Sequence, residues 1–280
     1  MPDTVPKTAN RIVITPPGRF SLPKVADLWE AREVLYRFGA RDVTLRYRQT
    51  ALGVVWVVLQ PLLTALIFVL VFGKVAHLSF GGEPPMVFIF VGLLAWNLFS
   101  GIIPRAQGSL VANRDLVSKV FFPRMLVPLA VVYSCLIDFL VSAAFLVVLL
   151  VIYGVNPGFA AVMVPVWTLM VILLASGIGL VTSALTVRYR DVNYFVPFIL
   201  QFLLYASPIA YSIANVPSKY RFIYDMNPLT WLLQEFQWSL VRQPLPHLWE
   251  IAASIIVPVA VFVGGAIIFE QMERGFADVI

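Results

Sequence analysis

Residues 127–153 read VPLAVVYSCLIDFLVSAAFLVVLLVIY, an apolar run interrupted by one charged side chain, Asp138. A helix rises about 1.5 Å per residue, so about 20 apolar residues suffice to cross the hydrocarbon core of a bilayer. The run shows no alternation of polar and apolar residues, which a membrane-spanning strand requires. Because lipid supplies no hydrogen-bond partner to an open backbone, the sequence predicts a transmembrane helix here.

Five further apolar runs organise the rest of the chain in the same way. They cover residues 51–73, 87–103, 161–187, 194–212 and 248–269. Of the 280 residues, 60% are hydrophobic and 12% are charged, whereas soluble domains carry about a quarter charged residues. We therefore expect an all-α membrane protein with a six-span transmembrane domain over residues 51–280.

The distribution of lysine and arginine predicts the orientation of these spans. Sixteen of the twenty lie in the arm before the first span, in the loop 104–126, or just after the fourth and sixth spans. Basic residues accumulate on the cytoplasmic side of membrane proteins. Both termini are accordingly expected in the cytoplasm, which agrees with an even number of spans.

The arm before the first span has two parts. Residues 1–24 contain five prolines and little periodicity, so we expect a flexible cytoplasmic tail. Residues 25–50 combine apolar and basic side chains at helical spacing and predict an amphipathic helix on the membrane surface, with Trp29 and Tyr36 at headgroup depth. The alternative is a helix packed on the protein's own spans.

The loop 104–126 opens at Pro104 and contains a segment that can form a short helix. Arg114 and Lys119 would provide polar contacts to another protein, and Leu116 and Val120 would form an apolar face. The alternative is a solvated connector whose basic residues only fix the topology.

The external stretch 213–247 is long and rich in aromatic residues. Asn227 followed by Pro228 is typical of a helix start, and two short helices over 217–226 and 228–241 are predicted. They form either an external gate, with Tyr220, Tyr224, Trp231 and Phe236 as candidate residues, or an aromatic belt that only anchors the protein.

Aromatic residues also mark a candidate translocation path. Tyr194, Phe198, Phe202 and Tyr205 recur at helical spacing on one face of the fifth span, and Trp56 lies in the first. Aromatic rings pack against the C–H faces of sugars, and tyrosine and tryptophan add a hydrogen-bonding tip. The alternative is that these rings contact lipid or neighbouring helices.

The chain carries little chemistry that could power transport by itself. Asp138 is the one clear carboxylate within a span, and it is either a proton site or a polar side chain that pairs with an arginine at a span end or sits in a polar gap. No G-x-x-x-x-G-K-[ST] motif is present, so no nucleotide cradle is expected. His77 and His247 lie far apart on the external side and Cys135 is the single cysteine, so we expect no metal site. No catalytic constellation is evident.

Several short motifs resemble one family, the permease subunits of bacterial ABC-2 type polysaccharide exporters. The similar segments are RYRQTALGVVW at 46–56, QPL at 60–62, GLLAW at 92–96, LVSKVFFPR at 116–124, RYRDV at 188–192, YASP at 205–208 and NPL at 227–229. They occur in the family's order. The first 24 residues lie outside the resemblance.

The resemblance implies a homodimer that binds two copies of a separate cytoplasmic ATPase, in which ATP and magnesium are bound. The chain itself would be no enzyme and would hold no cofactor. It would move a lipid-linked O-antigen, capsule or teichoic-acid polymer across the bacterial cytoplasmic (inner) membrane, with membrane lipids but no nucleic acid as further partners. Its coupling helix would include Asn113, Arg114 and Asp115. The rival hypotheses are an ion- or proton-coupled carrier and a membrane scaffold or enzyme.

Overall fold

The computed structural model describes residues 29–48, 53–119, 122–273 and 275–276. The predicted tail 1–24, the first residues of the predicted arm helix, and Val120 lie outside these residues. The described chain is helical, which confirms the predicted all-α membrane fold. Five helical segments are long and apolar enough to cross a membrane.

The helices follow one another along the chain with short connections. They are α1 (Arg32–Arg48), α2 (Val55–Phe68, extended by a π-helix Val69–Val75), α3 (Pro85–Ala112), α4 (Arg114–Lys119), α5 (Leu126–Tyr153), α6 (Val164–Arg188, preceded by a 3₁₀ helix Gly158–Met163), α7 (Val192–Ala206), α8 (Ser218–Asp225), α9 (Pro228–Val241) and α10 (Leu248–Glu273).

The centre of the fold is α3. It packs against α2, α5, α6, α7 and α9, and most of its side chains are buried. In the other four candidate spans a third or less of the most apolar stretch is buried, because the described chain covers only one side of each. These uncovered apolar faces are available to lipid or to another protein subunit.

Two glycine contacts allow the helices to approach closely. A Cβ atom on Gly92 of α3 would lie 2.6 Å from the carbonyl oxygen of Ile209. A Cβ atom on Gly177 of α6 would lie 2.6 Å from the carbonyl oxygen of Val261 in α10. Side chains at these positions would push the backbones apart, and small residues serve this purpose at membrane helix crossings.

The second span is longer than predicted. The prediction ended it at Pro104, but α3 continues through this proline to Ala112. A proline in a helix removes one backbone hydrogen bond, and a tightly packed membrane helix tolerates that loss. The predicted connector 104–126 therefore begins as part of α3, and only its second half leaves the bundle.

The fifth span is shorter than predicted. The prediction covered 194–212, whereas α7 has 15 residues and ends at Ala206, before Ser207 and Pro208. A helix of that length measures about 22 Å, less than the hydrocarbon core of about 30 Å. The count of six spans therefore remains a prediction, since α7 is the shorter apolar helix at the place of the fifth.

The arm helix α1 packs on the protein's own spans along one side, as the second of the two alternatives left by the sequence expected. Its Phe38 is buried and contacts Phe122, with ring centroids 5.6 Å apart. Its Gly39 lies directly against the ring of Tyr133 on α5. Meanwhile Tyr36, and Trp29 just before the helix, are exposed. One side of α1 is thus packed on the spans, and its location at the membrane surface stays a prediction.

Candidate functional site: an exposed aromatic stripe, a surface helix and a buried ion-pair network

The predicted aromatic stripe lies on the uncovered face of α7. Its four side chains are all more than 60% exposed: Tyr194, Phe198, Phe202 and Tyr205. The opposite face carries buried Val196 and Leu200. Packing among the described residues therefore does not explain the stripe, which is left open to lipid, a second subunit or a transported molecule.

Trp56, the other candidate for the translocation path, lies on a different helix from the stripe. It is 53% exposed on α2, which packs mainly on α3 and α5. Within one chain, the structure therefore does not bring Trp56 into a single surface with the stripe on α7.

The predicted docking segment forms the six-residue helix α4 on the surface. Arg114, Asp115, Leu116 and Lys119 are exposed, whereas Val117 is buried against the bundle. The charged side chains and Leu116 are thus presented outward. The sequence did not single out Val117, which holds the helix in place.

Asn113 turns the chain between α3 and α4. Its carbonyl oxygen accepts hydrogen bonds from the backbone N–H groups of Leu116 and Val117, and its side-chain nitrogen donates to the carbonyl oxygen of Ser109 at 2.8 Å. Arg41 of α1 donates to the side-chain oxygen of Asn113 at 2.6 Å. The arm helix is thereby joined to the start of α4, a contact that sequence spacing could not reveal.

Asp138 forms an ion-pair network rather than standing alone in its span. One of its oxygens lies 2.9 Å from a guanidinium nitrogen of Arg46 and 2.9 Å from one of Arg105. Its other oxygen accepts a hydrogen bond from the hydroxyl group of Tyr47. Of the two hypotheses for Asp138, the structure supports pairing with arginine.

The network joins three elements. Arg46 and Tyr47 end α1, Arg105 belongs to α3, and Asp138 belongs to α5. Burial and the hydrogen bond to Asp138 raise the pKa of the Tyr47 hydroxyl to about 12, so it remains a donor. The sequence assigned Arg105 to the cytoplasmic loop, but the continuation of α3 places it inside the bundle.

The external hairpin forms the two predicted helices, α8 and α9. The side-chain oxygen of Asn227 accepts from the backbone N–H of Leu229 at 3.1 Å, which confirms the predicted helix start. Tyr220 is exposed, and the hydroxyl of Tyr224 lies 2.8 Å from that of Tyr211. Tyr224 is half-buried, so both tyrosines keep part of their surface accessible.

The other two gate candidates are buried in the fold. Phe236 packs against Phe139 with ring centroids 6.4 Å apart, and Trp231 packs against Trp249 at 5.9 Å. Because α9 inserts between α3, α6 and α10, its rings fill the core instead of lining an opening.

The buried face of α9 also contains a carboxylate that no sequence pattern singles out. Glu235 has no exposed surface, and neither of its oxygens has a hydrogen-bond partner among the described residues. Burial, with the nearby charge of Glu250, raises the pKa of Glu235 to about 7. A buried carboxyl group of this kind prefers its neutral form.

Comparison with known proteins identifies one family and several relatives of this chain. A family profile described as ABC-2 type transporter matches residues 34–241. An O-antigen export system permease protein of Myxococcus xanthus, RfbA, is 30% identical over 258 residues, covering 91% of this chain and 98% of the relative.

More distant relatives are also similar to this chain over most of their length. A protein of that description from Klebsiella pneumoniae is 27% identical over 241 residues, covering 86% of this chain and 92% of the relative. The polysialic acid transport protein KpsM of Escherichia coli is 24% identical over 223 residues, with 78% and 79% covered. The family profile runs from within α1 to the end of α9.

Proposed function

The chain belongs to the ABC-2 type transporter family, and on this basis we propose that it is the transmembrane subunit of an ATP-driven exporter of a lipid-linked polysaccharide. The observation that carries the proposal is the similarity over nearly the whole length of an O-antigen export permease. The relatives differ in the polymers that their names state, so the proposal names the class of substrate and not one glycan.

Energy enters from a separate ATPase that binds at α4. This assignment is supported by the exposed charges of Arg114 and Lys119 beside exposed Leu116, and by the anchoring of the helix through Val117. ATP and magnesium are held in the partner subunit. Closure of the ATPase moves α4, and α3 and α1 follow because Asn113 joins all three helices.

Two copies of the chain form the translocation path between them. The uncovered aromatic stripe of α7 supports this arrangement, since its rings offer successive apolar platforms along which sugars can slide. Trp56 contributes from α2. The external hairpin closes the path on the outside, with Tyr220 and Tyr224 as the accessible members of the predicted gate.

The orientation follows from the distribution of basic residues. The N- and C-termini and α4 face the cytoplasm, and the complex lies in the bacterial cytoplasmic membrane. Asp138 is engaged on both oxygens, so the network gives no support to the rival proton-coupled carrier.

Deletion of the coding sequence in its natural host tests the proposal. We expect the lipid-linked glycan to accumulate inside the cell and to disappear from the surface, measured by glycan-specific labelling of intact and lysed cells. The intact chain should restore surface glycan. Normal surface glycan in the deletion strain would contradict the proposal.

A further inference from the structure

A polar cavity of about 240 Å³ lies between α1, α2, α3 and α5, at the ion-pair network of Asp138. Its lining includes six polar or charged side chains: Arg46, Gln60, Asn97, Ser100, Arg105 and Asp138. The surrounding segments of α2, α3 and α5 are otherwise strongly apolar. Ionisable side chains within apolar spans are costly, so a cluster of them marks a candidate functional site.

The charges in this cavity do not balance. Arg46 and Arg105 carry two positive charges, and Asp138 supplies one negative charge between them. The side chains of the two arginines are partly exposed, at 37% and 29%, so an anion can reach them. The excess positive charge attracts such an anion, which would neutralise it.

The cavity also offers hydrogen-bonding groups that the chain does not use. Within the described residues, the side chains of Gln60, Asn97 and Ser100 make no hydrogen bond, although all three line the cavity. Asn97 is exposed while its neighbours on α3 are buried. Neutral donors beside guanidinium groups suit an anion with several oxygens.

We propose that this cavity binds a phosphoryl group, with Arg46 and Arg105 as its charged donors. Arginine suits this ligand because its planar fork donates two parallel hydrogen bonds to phosphate oxygens. The proposal rests on the proposed function for its biological meaning: the phosphoryl group belongs either to a lipid headgroup, including that of the lipid-linked glycan, or to a free phosphate.

The depth of the cavity agrees with a lipid headgroup. Arg105 lies seven residues before the end of α3 at Ala112, about 10 Å along the helix axis. Arg46 lies near the end of α1, close to the start of α2. The site is therefore near the surface of the leaflet that the proposed orientation assigns to the cytoplasm, where a substrate would enter.

Lipid binding to the purified full-length chain tests the proposal without any transport assay. Native mass spectrometry would compare binding of dioleoyl phosphatidic acid with that of dioleoyl phosphatidylcholine. We expect Arg46→Gln to reduce the preference for phosphatidic acid by about tenfold or more, because a hydrogen bond to a charged group contributes about 1.5–3 kcal/mol. Arg48→Gln, at an exposed arginine two residues away, should leave the preference unchanged.

A second variant distinguishes a binding site from a purely structural network. Asp138→Asn disrupts the ion pairs but leaves both guanidinium groups and raises the net charge, so phosphatidic acid binding should persist or strengthen. If Asp138→Asn lost the preference as Arg46→Gln does, the arginines would be structural and the proposal would be wrong. An unchanged preference in Arg46→Gln would also overturn it.

Competition identifies the source of the phosphoryl group. Inorganic pyrophosphate that displaces phosphatidic acid indicates a site open to free anions, and failure to displace it indicates a site for lipid headgroups. Because ATP and export play no part in this measurement, failure of the phosphoryl site and failure of the proposed function give separate results.

Discussion

The buried carboxyl group of Glu235 makes a specific prediction about stability and pH. We consider the substitution Glu235→Gln, which keeps the shape of the side chain but removes its ability to ionise. Glu235 is fully buried on α9, and neither oxygen has a hydrogen-bond partner among the described residues. Ionisation of the wild-type side chain in this position should therefore destabilise the folded protein.

The size and sign of the effect follow from the pKa of Glu235. Burial, aided by the charge of Glu250, raises this pKa from 4.5 to about 7. The folded state then binds the proton more tightly than the unfolded state does, so folding stability falls as the pH rises from 4.5 to about 7. The total loss is about 3 kcal/mol, and it is absent below pH 4.5. Glu235→Gln should not show this loss.

Thermal unfolding of the purified chain in detergent, followed by tryptophan fluorescence between pH 4.5 and 8, measures this difference. The apparent stability of Glu235→Gln relative to wild type should increase over this range. Glu250→Gln should show a smaller increase, because it removes only the neighbouring charge. Glu30→Gln, at an exposed carboxylate, serves as the control. A parallel pH dependence in wild type and Glu235→Gln would refute the reasoning.

Three further variants, two of them double substitutions, test other parts of the structure. Arg114→Glu combined with Lys119→Glu should abolish co-purification with the ATPase and export, because both charges face outward on α4; intact co-purification would contradict this contact. Phe198→Ala with Tyr205→Ala should reduce the export rate while the complex still assembles, and normal export would assign these rings to lipid contact. Gly177→Val should lower the unfolding midpoint by the equivalent of about 1–3 kcal/mol, because its side chain would collide with the α10 backbone; an unchanged midpoint would contradict that crossing.

The elements of the fold were largely predictable because each depends on local sequence. Continuous apolar runs gave the spans, and the pair Asn227 and Pro228 located the start of α9. Proline was the least reliable indicator of where a helix ends. Pro104 lies inside α3, whereas α7 ends just before Ser207 and Pro208, and only packing against neighbours distinguishes the two outcomes.

The candidate site was less predictable because it depends on contacts between distant residues. The ion pair of Arg46 with Asp138 joins residues 92 positions apart in the sequence. Likewise, Trp231 and Phe236 have the composition of a surface aromatic belt, but the insertion of α9 among the spans buries them. Hydrophobic residues on a short helix do not reveal which neighbours will cover them.

The central claim is that ATP hydrolysis by a partner subunit drives a lipid-linked glycan through this chain. The most direct measurement reconstitutes the chain and its ATPase in proteoliposomes and follows the transfer of labelled lipid-linked glycan across the membrane. We expect transfer that requires hydrolysable ATP and that persists when proton gradients are dissipated. Transfer without ATP, driven by a proton gradient and abolished by Asp138→Asn, would contradict it and favour a secondary carrier.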